Sequence, residues 1–134
     1  MAKDSILGNA RSIAFISTTR MERARVFYES VLGLRLVADE LPFALVFDAG
    51  GTMLRVTVVQ EHRPQPFTVL GWEVNVIDST VERLAAAGVE FARYPGLNDI
   101  SPLPIWTSPS GARVAWFHDP DGNVLSVTQF KQAE

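Results

Sequence analysis

The sequence contains no cysteine among its 134 residues, and histidine is scarce, with two in the chain. The missing thiols exclude disulfide bonds, thiolate nucleophiles and zinc or iron–sulfur sites ligated by cysteine. A protein without cysteine is compatible with a reducing compartment. We therefore expect a cytoplasmic protein whose fold depends on its core and hydrogen bonds alone.

Two further absences concern partners. The chain has no excess of basic residues, with 12 Lys and Arg against 15 Asp and Glu, so a nucleic-acid partner is not expected. The charges are mixed along the chain, and no basic run indicates an anionic membrane surface. No apolar run approaches the ~20 residues of a membrane span. The N-terminal residues begin no long apolar run, so no signal peptide is expected.

The remaining composition is that of a globular domain. Apolar residues make up 47% of the chain and charged residues 20%. The length is within the usual size of a single domain and is enough to bury a sizeable core. We therefore expect residues 1–134 to form one domain.

The first half of this domain, about residues 8–60, predicts one strand, one helix and three strands. Residues 12–16 are a short apolar run, and Thr19 with Glu22 has the spacing of a helix capping box. Gly33 is the expected helix stop. The helix residues with apolar i, i+3, i+4 and i+7 spacing are Ala24, Phe27, Tyr28 and Val31. The three later strands are expected around residues 34–37, 43–47 and 53–59.

The second half, about residues 66–130, repeats this order. A strand over residues 69–74 precedes a capping-box pair, Ser79 and Glu82, and a helix that ends at Gly88. Three strands are expected around residues 89–94, 113–117 and 124–130. The proline-containing segment 60–66 is the natural linker between the halves.

The repeat extends to individual residues. Segment 32–36 matches 87–91, and segment 51–57 matches 122–128, in the same order in both halves. The sequence therefore predicts an α+β fold of two βαβββ modules. The second module is longer by 16 residues, mainly within the proline-rich stretch 95–111. This stretch predicts a long ordered loop that contains Trp106.

Two motifs resemble the vicinal-oxygen-chelate superfamily, which includes glyoxalase, extradiol dioxygenases, methylmalonyl-CoA epimerase and the bleomycin and fosfomycin resistance proteins. The first is Phe27-Tyr28 followed by Leu32-Gly33-Leu34, and the second is the Asp119-Pro120-Asp121-Gly122 turn. The resemblance covers about residues 12–130 and implies an open, incomplete barrel around a pocket. The turn itself is expected to set the register of the last strand and to do no chemistry.

The resemblance also implies where a divalent metal would bind in catalytic relatives. The histidine and glutamate positions of that site fall here on Ile13, Arg55, Val69 and Ser126. Two of these side chains have no donor atom, serine is a weak neutral ligand, and arginine would repel a cation. The two histidines, His62 and His118, lie in the linker and the turn without metal-ligand spacing. We therefore expect no metal ligand and no cofactor.

Alternation along the strands predicts the lining of the pocket. We expect Arg55 to be its main polar anchor for an anionic or aromatic ligand, with Glu73 as the partner of Arg55 or as a catalytic general base. Alternatively, Arg55 and Glu73 form only a structural ion pair. Trp106 would pack as a hydrophobic plug or stack on a ligand. The other expected ligand-binding residues are Phe15, Ser17, Thr57, Ser126 and Thr128.

Three functions follow from this pattern. The first is a metal-independent small-molecule-binding protein, acting by sequestration or by acid–base chemistry at Glu73. The second is a metal-dependent lyase or dioxygenase with displaced ligands, and the third is a non-catalytic interaction domain with a filled cavity. Because each module leaves strand edges to be covered, we also expect a homodimer.

Overall fold

The computed structural model of the chain describes residues 5–132. Its strands are β1 (Ile13–Thr18), β2 (Arg35–Glu40), β3 (Ala44–Ala49), β4 (Thr52–Val58), β5 (Thr68–Glu73), β6 (Trp106–Thr107), β7 (Arg113–His118) and β8 (Val124–Gln129). Its helices are α1 (Met21–Arg25), which continues as a π-helical segment (Val26–Val31), and α2 (Ile77–Ala86). Within residues 5–132, neither helix combines the length and the apolar character needed to cross a membrane. The expectation about a signal peptide concerns residues that lie mostly outside this range.

The strands form two four-stranded sheets, one from each half of the chain. Sheet one has the order β1-β4-β3-β2, and sheet two has the order β5-β8-β7-β6. In each sheet the opening strand runs parallel to the last strand, while the remaining pairs are antiparallel. The predicted α+β fold of two open modules is confirmed, because the sheets have the expected topology and do not close into a barrel.

Each sheet has one face covered by helices and one open face. The covered faces contribute the fully buried side chains Phe47, Leu54, Phe117 and Leu125, which pack with Tyr28 in one core. Strand alternation places the neighbouring residues on the opposite side. The open face of sheet one includes Ile13, Phe15, Ser17, Val46, Asp48, Met53, Arg55 and Thr57. The open face of sheet two includes Val69, Gly71, Glu73, Trp106, Val114, Trp116, Ser126 and Thr128.

Both predicted capping boxes are wrong. Helix α1 begins at Met21 without a side-chain cap, and the Thr19 backbone N–H and hydroxyl donate to Asp121 instead. Helix α2 begins at Ile77, two residues before Ser79. The Ile77 backbone N–H donates to the Gln129 side chain at 2.9 Å. A side chain of β8 thus caps α2, and a side chain of the β7–β8 turn binds the residue that precedes the start of α1; sequence spacing reveals neither contact.

The predicted strand over residues 89–94 is also wrong. Only Phe91 bridges to β7, and the short strand β6 occupies the rest of that edge. The reason is Asn98, which is fully buried and accepts the Tyr94 backbone N–H at 2.7 Å. Its amide donates to the carbonyls of Ala92 and Pro104. These bonds fold the chain back at residue 98, so Trp106 begins a strand and does not lie inside the loop.

Candidate functional site

The Asp119–Gly122 turn joins the two modules. The buried Tyr28 hydroxyl, from the first module, donates to Asp119 Oδ2 at 2.6 Å. Asp119 also accepts the backbone N–H groups of Asp121 and Asn123. Burial, and then the charge of Asp119 and the hydrogen bond to it, raise the pKa of Tyr28 well above its ordinary value. The turn therefore does more than set the register of the last strand, because it also binds a helix residue of the other module.

A second group of bonds extends this junction to β1. The Asn123 amide donates to the Ser17 carbonyl at 3.0 Å, and Asp121 accepts the hydroxyls of Thr18 and Thr19. Burial opposes ionisation of Asp121, but bonds from both threonines and the charge of Arg23 outweigh it and lower the pKa of Asp121. The polar residues of the turn are therefore structural, and none is free for chemistry.

His62 belongs to the same junction. Its Nε2 lies 2.7 Å from Asn123 Oδ1. Because the Asn123 amide nitrogen already donates elsewhere, its oxygen is the acceptor and His62 is the donor. His62 is thus locally hydrogen-bonded, while His118 is exposed at the end of β7.

The four positions that the resemblance assigns to a metal lie on the two open sheet faces. Ile13 and Arg55 are on sheet one, and Val69 and Ser126 are on sheet two. This donor set does not fit a divalent cation, since it offers one neutral hydroxyl and one guanidinium. Among residues 5–132, no group of three or more His, Cys, Asp or Glu side chains is arranged to hold a metal ion.

The carboxylate that contacts Arg55 is one that the sequence analysis did not single out. Arg55 Nη2 lies 2.5 Å from Glu40 Oε1, at the end of β2. The two residues sit on neighbouring positions of sheet one because β3 places Ala44 beside Glu40 and Val46 beside Arg55. Glu73 lies on sheet two, where it is exposed and pairs in register with Thr128. Its carboxylate forms no hydrogen bond or ion pair within the described part of the chain.

The remaining expected ligand-binding residues are distributed over the two open faces. Phe15 is beside Arg55 in register, and its side chain is 63% exposed. Ser17 lies beside Thr57 on the same sheet. Ser126 is buried on sheet two, and its hydroxyl lies against Gly71, where a Cβ atom would be 2.7 Å away.

Three aromatic side chains form a continuous surface on the open side of sheet two. Trp106 and Trp116 are stacked, with ring centroids 5.9 Å apart and planes at 29°. Tyr94 meets Trp116 edge-on at 5.4 Å. We call Tyr94, Trp106 and Trp116 the aromatic wall. All three rings are partly exposed. Sequence reasoning found Trp106 but missed the other two, although alternation along β7 places Trp116 on the same face as Val114.

A cavity of about 430 Å³ opens on sheet one. It is lined by that sheet and by the segment before β1, and it includes Ile13 and Met53. A volume of this size is within the range of small-molecule sites. The open face of sheet one is therefore concave and not filled by its own side chains.

Comparison with known proteins agrees with this architecture. The family model described as Glyoxalase/Bleomycin resistance protein/Dioxygenase superfamily matches residues 11–127. Comparison with curated protein sequences gave no significant match.

Solved structures with similar folds share little sequence with this chain. A member of the same superfamily from Sphaerobacter thermophilus is 23% identical, with a TM-score of 0.70 over 89% of this chain and 95% of its own. A lactoylglutathione lyase from Agrobacterium tumefaciens is 18% identical, with a TM-score of 0.67 over 90% and 93%. A fosfomycin resistance protein from Listeria monocytogenes is 15% identical, with a TM-score of 0.70 over 90% and 92%. At these identities the likeness concerns the fold alone.

Proposed function

Because the chain belongs to the glyoxalase/bleomycin resistance protein/dioxygenase superfamily, we propose that it is a member that binds a small organic molecule without a metal ion. The observation that carries this proposal is the set of side chains at the family's metal positions. Ile13 and Val69 supply apolar surface there, and Arg55 supplies a positive charge. A ligand at these positions would meet apolar and cationic side chains of the protein, with no bound cation between ligand and protein.

The two open faces supply the contacts that such a ligand needs. Small-molecule sites are mostly apolar, with a few polar groups that fix orientation. The aromatic wall offers stacking area on sheet two, and the cavity on sheet one offers apolar volume. The open cavity argues against an interaction domain with a filled interior. Solved structures of similar fold include a lyase and a resistance protein, so binding and turnover are both compatible with this fold.

Sequestration is the form of this function that the geometry favours. A general base must be held within hydrogen-bond reach of the proton that it removes, by neighbours that fix its rotamer. Glu73 has no such neighbour within residues 5–132, and Arg55 is held by Glu40. Acid–base chemistry at Glu73 would require the ligand itself to orient the carboxylate. Binding alone requires no such change.

We also propose that the protein is a homodimer. Phe15 and Val69 lie on the open faces of their sheets and are 63% and 41% exposed. A second copy packed against these faces would cover this apolar surface. Light scattering should give twice the mass of one chain, and Phe15→Glu should shift the protein toward the monomer. Wild-type protein with the mass of a single chain at micromolar concentration would contradict this arrangement.

Binding without metal is tested with 2-naphthol, a planar neutral probe, titrated into protein that has been dialysed against EDTA. We expect saturable quenching of tryptophan fluorescence that added zinc or manganese does not change. Trp116→Leu should weaken binding, since base-like planar ligands gain about 1–3 kcal/mol from aromatic stacking. The matched control is Trp72→Phe, because Trp72 packs on the covered face of sheet two. Binding that appears only with added metal would refute the proposal.

A further inference from the structure

The cavity on sheet one has an apolar floor and rim. Val46 is almost completely buried beneath it, while Ile13 and Met53 line it with side chains that are 48% and 43% exposed. Apolar surface that stays open to water inside a concavity is favourable to cover, by roughly 25 cal/mol for each Å² removed from water. The cavity is therefore suited to the apolar part of a ligand.

An irregularity in β2 adds to this surface. The register between β2 and β3 shifts between Leu36 and Ala38, so Val37 is an extra residue on its strand. Val37 lines the cavity and is 50% exposed. Bulges of this kind redirect a side chain and are frequent beside binding sites. Without the extra residue, β2 would present a regular alternation and no valine at this rim.

Three charged side chains line the cavity, and they do not cancel. Arg35 pairs with Asp48 at 3.3 Å, and Asp48 also accepts the Gly51 backbone N–H at 2.7 Å. Arg11 has no hydrogen-bond or ion-pair partner within residues 5–132. Two guanidinium groups and one carboxylate leave the lining with a formal charge of +1. A ligand with a single negative charge would neutralise it.

From these observations we infer that the sheet-one cavity binds a monoanion with an apolar body, anchored mainly by Arg11 and secondarily by Arg35. This inference rests on the proposed function, since it names a chemical class of ligand for metal-free binding and places it in a cavity that shares Ile13 with the family's metal positions. The apolar body lies on Ile13, Val37 and Met53. A carboxylate is the simplest anionic group that a guanidinium holds by two parallel hydrogen bonds.

Arg11 is a better anchor than Arg55. Arg55 already has a carboxylate partner at 2.5 Å, and only 26% of its side chain is exposed. A ligand would have to displace Glu40 to use it. Arg11 has no partner to displace among residues 5–132, and the Arg35 side chain is 70% exposed, so both can turn toward an entering anion.

The test compares octanoate with octanamide, which has the same chain and no charge, by isothermal titration of EDTA-dialysed protein. We expect octanoate to bind about fivefold more tightly, the effect of an exposed ion pair of about 1 kcal/mol. Arg11→Gln should remove this difference and leave octanamide binding unchanged. The matched control is Arg83→Gln, an exposed arginine on α2 that lies outside the cavity. Higher salt should reduce octanoate binding only.

A second variant locates the site. Val37→Glu places a negative charge at the rim, at a side chain exposed enough to be replaced without loss of the core, and should abolish octanoate binding with an unchanged circular dichroism spectrum. Equal affinities for octanoate and octanamide, or an Arg11→Gln variant that retains the difference, would overturn the inference. If octanoate fails while 2-naphthol still binds without metal, only the ligand class is wrong. If both probes bind only with added metal, the proposed function is wrong.

Discussion

The hydrogen bond between Tyr28 and Asp119 should contribute measurably to the stability of the whole domain. Tyr28→Phe removes the hydroxyl and keeps the ring. The ring centroid lies 5.1 Å from that of Phe27, in an edge-on contact, and 6.0 Å from that of Phe47, in a tilted contact. The variant therefore deletes one buried bond to a carboxylate without leaving a large void. Hydrogen bonds to charged groups contribute about 1.5–3 kcal/mol.

The structure narrows this range. Asp119 keeps three other donors after the substitution, namely the Asp121 and Asn123 backbone N–H groups and the Asn123 side-chain amide. Because the carboxylate stays largely satisfied, we expect a loss of about 2 kcal/mol, in the lower half of the range. With an unfolding entropy of roughly 0.28 kcal/mol/K for 134 residues, this lowers the melting temperature by about 7 °C.

Urea unfolding followed by tryptophan fluorescence and by circular dichroism measures this loss. The matched control is Tyr94→Phe, since Tyr94 is partly exposed and its hydroxyl forms no hydrogen bond to another of residues 5–132, and its effect should stay within about 0.5 kcal/mol. A double-mutant cycle with Asp119→Asn should give a coupling energy of about 1–2 kcal/mol between the two sites. The reasoning is refuted if Tyr28→Phe and Tyr94→Phe are equally stable.

Three further predictions concern stability. Asn98→Ala should cost about 2–4 kcal/mol in urea unfolding, because it removes the three hydrogen bonds that a fully buried side chain makes in the loop before Trp106; a change within error would contradict the role given to Asn98. The pKa of Tyr28 is higher in the folded than in the unfolded state, so its contribution to stability is complete below the pKa of the unfolded tyrosine and is lost at higher pH. The free energy of unfolding should therefore fall above about pH 10, and less steeply in Tyr28→Phe. The lowered pKa of Asp121 acts in the opposite direction: stability should decline below about pH 4, and Asp121→Asn should have a flatter acid profile between pH 2 and 4.

The fold could be predicted from the sequence because its signals are local and repeated. The apolar alternation in β4 and β8, and the glycine at the end of each helix, recur at matched positions in both halves. Gly33 adopts a φ of +79°, which side-chain-bearing residues rarely adopt, so a glycine there marks the helix end reliably. A single error in one half could be checked against the other half.

The site could be predicted only in part, because its contacts join residues that are far apart in sequence. Alternation placed Arg55 on an open face, but it could not show that Glu40 lies beside Arg55, and Trp106 was expected in a loop and not on a strand. The partner depends on the β2–β3 register, which contains a bulge. Arg11 was missed because it precedes β1 and belongs to no periodic pattern.

The two turns at the ends of the modules differ in a way that limits how the chain can be rearranged. By the internal repeat, Asp48 and Gly50 correspond to Asp119 and Asp121. Asp48 bonds within its own module, to Gly51 and Arg35, and Gly50 has no side chain with which to reach the other half. Of these two turns, therefore, only the second one forms hydrogen bonds to the other module within residues 5–132. A gene that encoded the first module twice would lose the hydrogen bonds that the Asp119–Gly122 turn makes to the other half, whereas two copies of the second module would lack Tyr28 and the threonines Thr18 and Thr19 that donate to this turn. The two repeated halves are therefore not interchangeable in these hydrogen bonds.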